Sequence, residues 1–376
     1  METSIESWLT VKKDELSPSA YLAAVTAVSV VDYKAASVVL AAAGTADKAW
    51  KSGRSDFVRA GVETRIVSRF MKLRSSVDPA KLAEDCRAYS IDIIGLDDPD
   101  YPPLLKEIHD PPLGLFVRGR KKKLTGSSIA VVGTRKPTAY GLKWAGILGR
   151  ELGRAGWTIV SGMALGIDCA VHEAVLNTGE DTVAVSGRGL DKSYPASKKK
   201  LFQRIIESGT VISEYPPGIG ARPNHFPRRN RIIAGMSRGC VVVEGGLKSG
   251  SLITAGLAVE EGRDVFAVPG RIGDRFSEGP NSLLKEGCAK LITGSVDVLD
   301  ELGCFRAGDQ ITASKISLEK EEQTVLAALG AAGSNPEEIT LSTGLSAAQI
   351  QRILVILELK GIVEKSGRGR FYSTME

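Results

Sequence analysis

Histidine is scarce in this chain, with three copies in 376 residues, and cysteine is hardly commoner, with five. Cys86, Cys169, Cys240, Cys288 and Cys304 are odd in number, and no two stand at C-x-x-C spacing. A disulfide framework or zinc ribbon is therefore excluded, and reduced thiols acting as small core residues remain. No His/Cys/carboxylate spacing suits a metal, so no metal site is expected. Long apolar runs are also missing. The longest, residues 21–31, stops at Asp32 and Lys34 and is too short to cross a bilayer. Residues 1–4, Met-Glu-Thr-Ser, form no basic n-region, so a cytoplasmic protein without a signal peptide or membrane association is expected. Neither G-x-x-x-x-G-K-[ST] nor G-x-G-x-x-G occurs, which excludes a Walker A loop and leaves a dinucleotide site poorly supported. No cofactor is expected. With no nucleophile paired to a base, catalysis has little to stand on, and a non-enzymatic protein with no catalytic residue is the expectation.

What is present is an ordinary globular mix, 43% apolar and 25% charged, in a chain long enough for two or three domains. The net charge of +5 is unevenly spread. Residues 113–303 hold 27 Lys and Arg against 18 Asp and Glu, whereas 1–112 carry −3 and 316–376 carry −2. The same middle segment holds 30 of the 41 glycines. An anionic partner is expected there, on loops whose backbone can approach a ligand closely.

Residues 1–96 read as an alanine-rich helical domain, its first helix opened by Ser17-Pro18 with proline at the first position. Five prolines between 97 and 112 predict an extended connector. In 97–303 short apolar runs, at 129–132, 158–160, 182–185, 210–212, 241–243 and 265–268, alternate with helix-length segments such as 139–155. That pattern predicts a doubly wound, Rossmann-like α/β fold on a buried parallel sheet. Residues 304–316 read as a polar linker. Residues 317–376 read as three helices and a strand–glycine turn–strand, the plan of a winged helix-turn-helix.

In such a sheet, the loops after the strands share one carboxyl edge, where these folds bind ligands. They hold Gly133-Thr134-Arg135-Lys136, then Gly162, Arg188, a loop with Arg222 and Phe226, and Lys248-Ser249-Gly250-Ser251. Arg222-Pro-Asn-His-Phe226-Pro-Arg228-Arg229-Asn230-Arg231 is the densest cluster. Its arginines are expected at a helix start, Arg228 and Arg231 on one side, holding phosphate bidentately. Phe226 is either a stacking platform for a base or a core residue. His225 is the one histidine on the edge, and His172 is expected to be structural. Glu214 and Glu244 end strands there as candidate acid/base groups, with accepting hydrogen bonds from arginines or loop amides as their expected role.

The order and wording of several motifs resemble the DNA processing protein A (DprA/Smf) family. These are Gly133-Thr-Arg, Ser161-Gly-Met-Ala-Leu-Gly-Ile-Asp168, Gly189-Leu-Asp-Lys-Ser-Tyr-Pro195, Ser213-Glu-Tyr-Pro-Pro217, Phe226-Pro-Arg-Arg-Asn-Arg-Ile-Ile-Ala-Gly235, Ser249-Gly-Ser-Leu-Ile-Thr-Ala255 and Val268-Pro-Gly270. The resemblance implies an extended Rossmann fold that binds single-stranded DNA without sequence specificity and loads the RecA recombinase during natural transformation. It implies a homodimer formed through the Rossmann-like domain, and a DNA pocket at Gly133-Thr134-Arg135, Phe226 and the Arg-Asn-Arg segment. The first 96 residues are similar to the family's sterile-alpha-motif-like region in being helical. Leu165 stands where members often have arginine, a place Arg188 is expected to fill. The alternative is an enzyme similar to the cytokinin-activating phosphoribohydrolases. Their Pro-Gly-Gly-x-Gly-Thr motif is broken here by Glu244, and Ile253 and Thr254 fall where acidic residues are expected. A duplex-binding regulator is disfavoured by the net negative charge of the last unit.

Overall fold

The computed structural model describes residues 16–303, 320–329, 333–359, 362–365 and 370–373. The expected linker, Cys304 and the glycine turn at 366–369 lie outside them. The chain divides into two compact units on either side of residue 304.

The larger unit is built on one nine-stranded sheet. Its strands are β1 (Asp92–Gly95), β2 (Gly114–Gly119), β3 (Ser128–Val132), β4 (Thr158–Ser161), β5 (Thr182–Ser186), β6 (Thr210–Ser213), β7 (Gly239–Val242), β8 (Asp264–Ala267) and β9 (Lys290–Leu291), in the order β1-β2-β6-β5-β4-β3-β7-β8-β9. From β6 to β9 every pairing is parallel. The six apolar runs of the sequence are β3 to β8. β3, β4, β6 and β7 are buried along their whole length, as a parallel strand with helices on both faces must be. From β3 the chain winds one way through β4, β5 and β6, then returns to place β7 on the other side of β3. The winding reverses between β3 and β7.

The sheet begins earlier than the sequence suggests. β1 pairs antiparallel with β2, and β2 antiparallel with β6. The division expected after residue 96 thus falls within a strand pair, and the proline-rich connector between β1 and β2 includes one helical turn, Pro103–Lys106. The amino-terminal helices pack on this extension. Helix Pro18–Val31 starts as expected, with Pro18 in its first turn and Ser17 Oγ accepting from the Ala20 amide at 3.4 Å. Its Thr26 lies so close to Gly114 that a Cβ there would stand 2.3 Å from Thr26 Oγ1. Glycine on β2 is what lets the helix sit down on the strand.

His172 is fully buried in helix Ile167–Asn177. Its Nδ1 lies 2.7 Å from Thr182 Oγ1, whose hydroxyl donates to Ile159 O, so Nδ1 carries the proton and donates. Burial pushes the imidazole pKa down from 6.5 to about 3. The unfolded chain therefore takes up a proton below pH 6.5 that the native state refuses, and stability falls as pH falls toward 3. Between pH 7 and 5 this single group costs about 2 kcal/mol of folding free energy. Urea denaturation at the two pH values, compared with His172→Asn, checks it. The variant should be less pH-sensitive by about that amount.

The smaller unit has helices Lys320–Ala327, Pro336–Thr343 and Ala347–Leu359 and an antiparallel pair, β10 (Val363–Lys365) with β11 (Phe371–Ser373). These are the three helices and hairpin the sequence predicts. Asn335 caps the second helix by accepting from the Glu338 amide, and Gly344 at φ +70° ends it. Val325, Ile339, Ile353, Leu357 and Phe371 share one core.

Candidate nucleic-acid interface

Ligands of open α/β sheets bind outside the carboxyl ends of the strands where the winding reverses. The loops after β3 and β7 part there, and a cleft of about 980 Å³ opens between them. Gly133 to Lys136 line one wall and Gly246 to Ser251 the other, with Phe226, Arg229 and Asn230 between and Arg275 from the loop after β8. Helix Gly250–Glu260 begins at this wall, with Ser249 Oγ accepting from the Ser251 amide. Its positive end opens into the cleft, an arrangement that favours anions.

The floor is held by two buried, oppositely charged side chains that each bond to backbone and act on one another through space. Arg229, 4% exposed, donates through Nη1 to Gly162 O at 2.6 Å and to Val185 O, tying the carboxyl ends of β4 and β5 together. Asp168, 6% exposed, accepts from the amides of Gly162 at 3.1 Å and Ala164 at 3.3 Å. Burial raises the Asp168 pKa against the opposing pull of Arg229, and burial lowers that of Arg229 to about 10. A Cβ on Gly162 would stand 2.6 Å from Arg229 Nη2 and 2.7 Å from Asp168 Oδ2. Glycine is required there by these two buried side chains, not by an approaching ligand. Gly133 is similar: a Cβ would meet Ile167 Cγ1 at 2.6 Å.

The expectation that Arg228, Arg229 and Arg231 jointly hold phosphate is corrected here. Arg231 is 6% exposed and pairs with Glu214 at 2.6 Å and Asp110 at 3.2 Å. Arg228 pairs with Glu214 at 3.3 Å and donates to the carbonyls of Ser29 and Val30, at the carboxyl end of helix Pro18–Val31, a favourable place for a cation. Neither lines the cleft. Buried Glu214, partly exposed Asp110 and a helix end take up their charge. Glu214 and Glu244 have the expected accepting roles, for Glu244 the Thr138 amide at 2.9 Å and its hydroxyl. Arg188 is expected to fill the place of Leu165, but neither residue lines the cleft. Arg188 lies 3.9 Å from Asp191, and exposed Arg222 is also outside the cleft lining.

The charges open to a ligand lie on the rim. Arg135, Lys136, Lys248 and Arg275 are exposed, line the cleft, and make no ion pair among the described residues. Arg275 went unrecognised in the sequence, although the loop after β8 shares the edge that pointed to the others. Phe226 is half-buried, with the Arg135 guanidinium 5.4 Å over its ring and Tyr194 5.3 Å away at a 34° tilt. Tyr194 is the second residue that sequence reasoning missed. It stands inside a quoted motif, where spacing alone assigns a tyrosine no role.

No single helix among the described residues is long and apolar enough to cross a membrane. No group of three His, Cys, Asp or Glu side chains among them is placed to hold a metal ion.

The sequence model described as DNA recombination-mediator protein A matches residues 92–303, and that of the DprA winged helix domain matches 311–367. The chain is 43% identical over 217 residues to DNA processing protein DprA of Bacillus subtilis, covering 57% of this chain and 73% of that one. It is 45% identical over 232 residues to DprA of Streptococcus pneumoniae, covering 62% and 81%. Among solved structures, S. pneumoniae DprA superposes with a TM-score of 0.67 at 39% identity, covering 75% of this chain and 97% of that one. DNA processing protein A of Helicobacter pylori, whose structure describes a single-stranded DNA binding mode, gives 0.52 at 32%, covering 56% and 95%. The match spans more than half the chain and takes in every strand of the sheet, so the chain belongs to the DNA recombination-mediator protein A family.

Proposed function

We propose that this protein binds single-stranded DNA without sequence specificity in the cleft between β3 and β7. The observation that carries the reading is the division of charge within that cleft. In the floor buried Arg229 and buried Asp168 offset one another's charge, whereas Arg135, Lys136, Lys248 and Arg275 on the rim make no ion pair among the described residues. Cations on a rim follow a phosphate backbone, and a neutral, glycine-lined interior with an aromatic admits bases without reading their edges. Gly133, Thr134, Asn230, Ser249, Gly250 and Ser251 supply the polar wall. Membership of the family supports the rest of the proposal: delivery of the strand to the RecA recombinase in natural transformation, by a cytoplasmic homodimer joined through the α/β unit.

Titration with labelled single- and double-stranded oligonucleotides at several salt concentrations tests the reading. Four phosphate contacts predict a fall of log K against log salt with a slope near −3 for the single strand, about 0.7 per contact. Tighter binding of the duplex, or a slope near zero, overturns it.

A further inference from the structure

Phe226 invites the role of base platform, but its ring is already engaged. Tyr194 lies 5.3 Å from it, centroid to centroid, and the Arg135 guanidinium 5.4 Å over it. Behind it is the backbone of Gly187, where a Cβ would stand 3.1 Å from Phe226 Cδ1. A base slipped between two rings needs them about 7 Å apart, twice the carbon–carbon contact distance of about 3.5 Å. Neither gap is that wide.

Tyr194 is placed differently. It is 40% exposed and lines the cleft beside Phe226. Large aromatic side chains on a protein surface lose apolar hydration when something stacks on them, and a nucleobase offers a matching π-face. We infer that Tyr194 is the outer stacking surface for a DNA base and that Phe226 is its support, holding the tyrosine ring against the cleft wall. The inference rests on the single-strand reading and adds to it the residue that meets the base. A strand whose phosphates follow Arg135 and Lys136 would turn its bases toward this aromatic pair.

The test uses the full chain and an oligothymidylate carrying one 2-aminopurine, whose emission is quenched on stacking. Tyr194→Leu keeps apolar bulk against Phe226 but removes the π-face. Its affinity should fall about 5- to 150-fold, with the salt slope unchanged and the quench lost. Tyr194→Phe should restore both. Circular dichroism melts of Tyr194→Leu should match the parent, since the side chain is exposed. If the parent binds the oligonucleotide and Tyr194→Leu binds within twofold with the same quench, the stacking role is overturned and the single-strand reading stands. If the parent does not bind, both fall together.

Discussion

Replacing Arg229 with methionine should remove about 3–5 kcal/mol of folding free energy and leave the salt dependence of DNA binding unchanged. The side chain is buried, and its guanidinium supplies two carbonyls, Gly162 O and Val185 O, as well as the charge opposite Asp168. Methionine fills similar volume but satisfies none of them. The carboxylate left behind is buried among backbone amides with its countercharge gone, and a buried charge without its partner is where the large penalty arises. Asp168→Asn in the same chain should recover part of the loss, because the surviving side chain is then neutral. A double-mutant cycle by chemical denaturation reads that coupling. The opposite result is equally clear. Stability within 1 kcal/mol of the parent, with a salt slope shallower by about 0.7, would make Arg229 a phosphate ligand.

That reversal of expectation shows what the sequence could and could not carry. β3 to β8 were legible because buried parallel strands are written as short apolar runs, and the carboxyl-edge rule then gathered Gly133 to Lys136 and Lys248 to Ser251 at one cleft. β1 and β2 were not legible. They are an antiparallel extension flanking a proline-rich segment, and four residues such as Asp92–Gly95 carry no period long enough to read. The arginine cluster misled for a different reason. Helical spacing places Arg228 and Arg231 together correctly, but what they meet is set by tertiary packing. Glu214 closes β6, Asp110 comes from the connector, and the Val30 carbonyl lies 198 residues away in sequence. Local pattern reports which residues share a side, and only the fold reports whether acids or solvent face them. Phe226 shows the same limit: the two roles open to it in sequence, core or platform, leave out a half-buried ring backed by Gly187 and capped by a tyrosine.

The rim should respond in the opposite way to the floor. Changing Arg135, Lys136, Lys248 and Arg275 together to glutamine removes four cations that no acid among the described residues neutralises. All four are exposed, so each change should alter folding stability by no more than about 0.5 kcal/mol. Binding should change greatly. Each lost phosphate contact flattens the salt slope for a single strand by about 0.7, so the quadruple variant should be shallower by nearly 3, and its affinity at 0.05 M salt should drop on the order of a thousandfold. The control is an equal charge removed elsewhere, at Lys143, Lys199, Lys200 and Lys285, which are exposed and outside the cleft lining. General attraction between a basic protein and a polyanion would weaken equally in both variants. A track along the cleft rim weakens in the first alone. Fluorescence anisotropy over a salt series separates the two, and equal losses would remove the cleft from the DNA path.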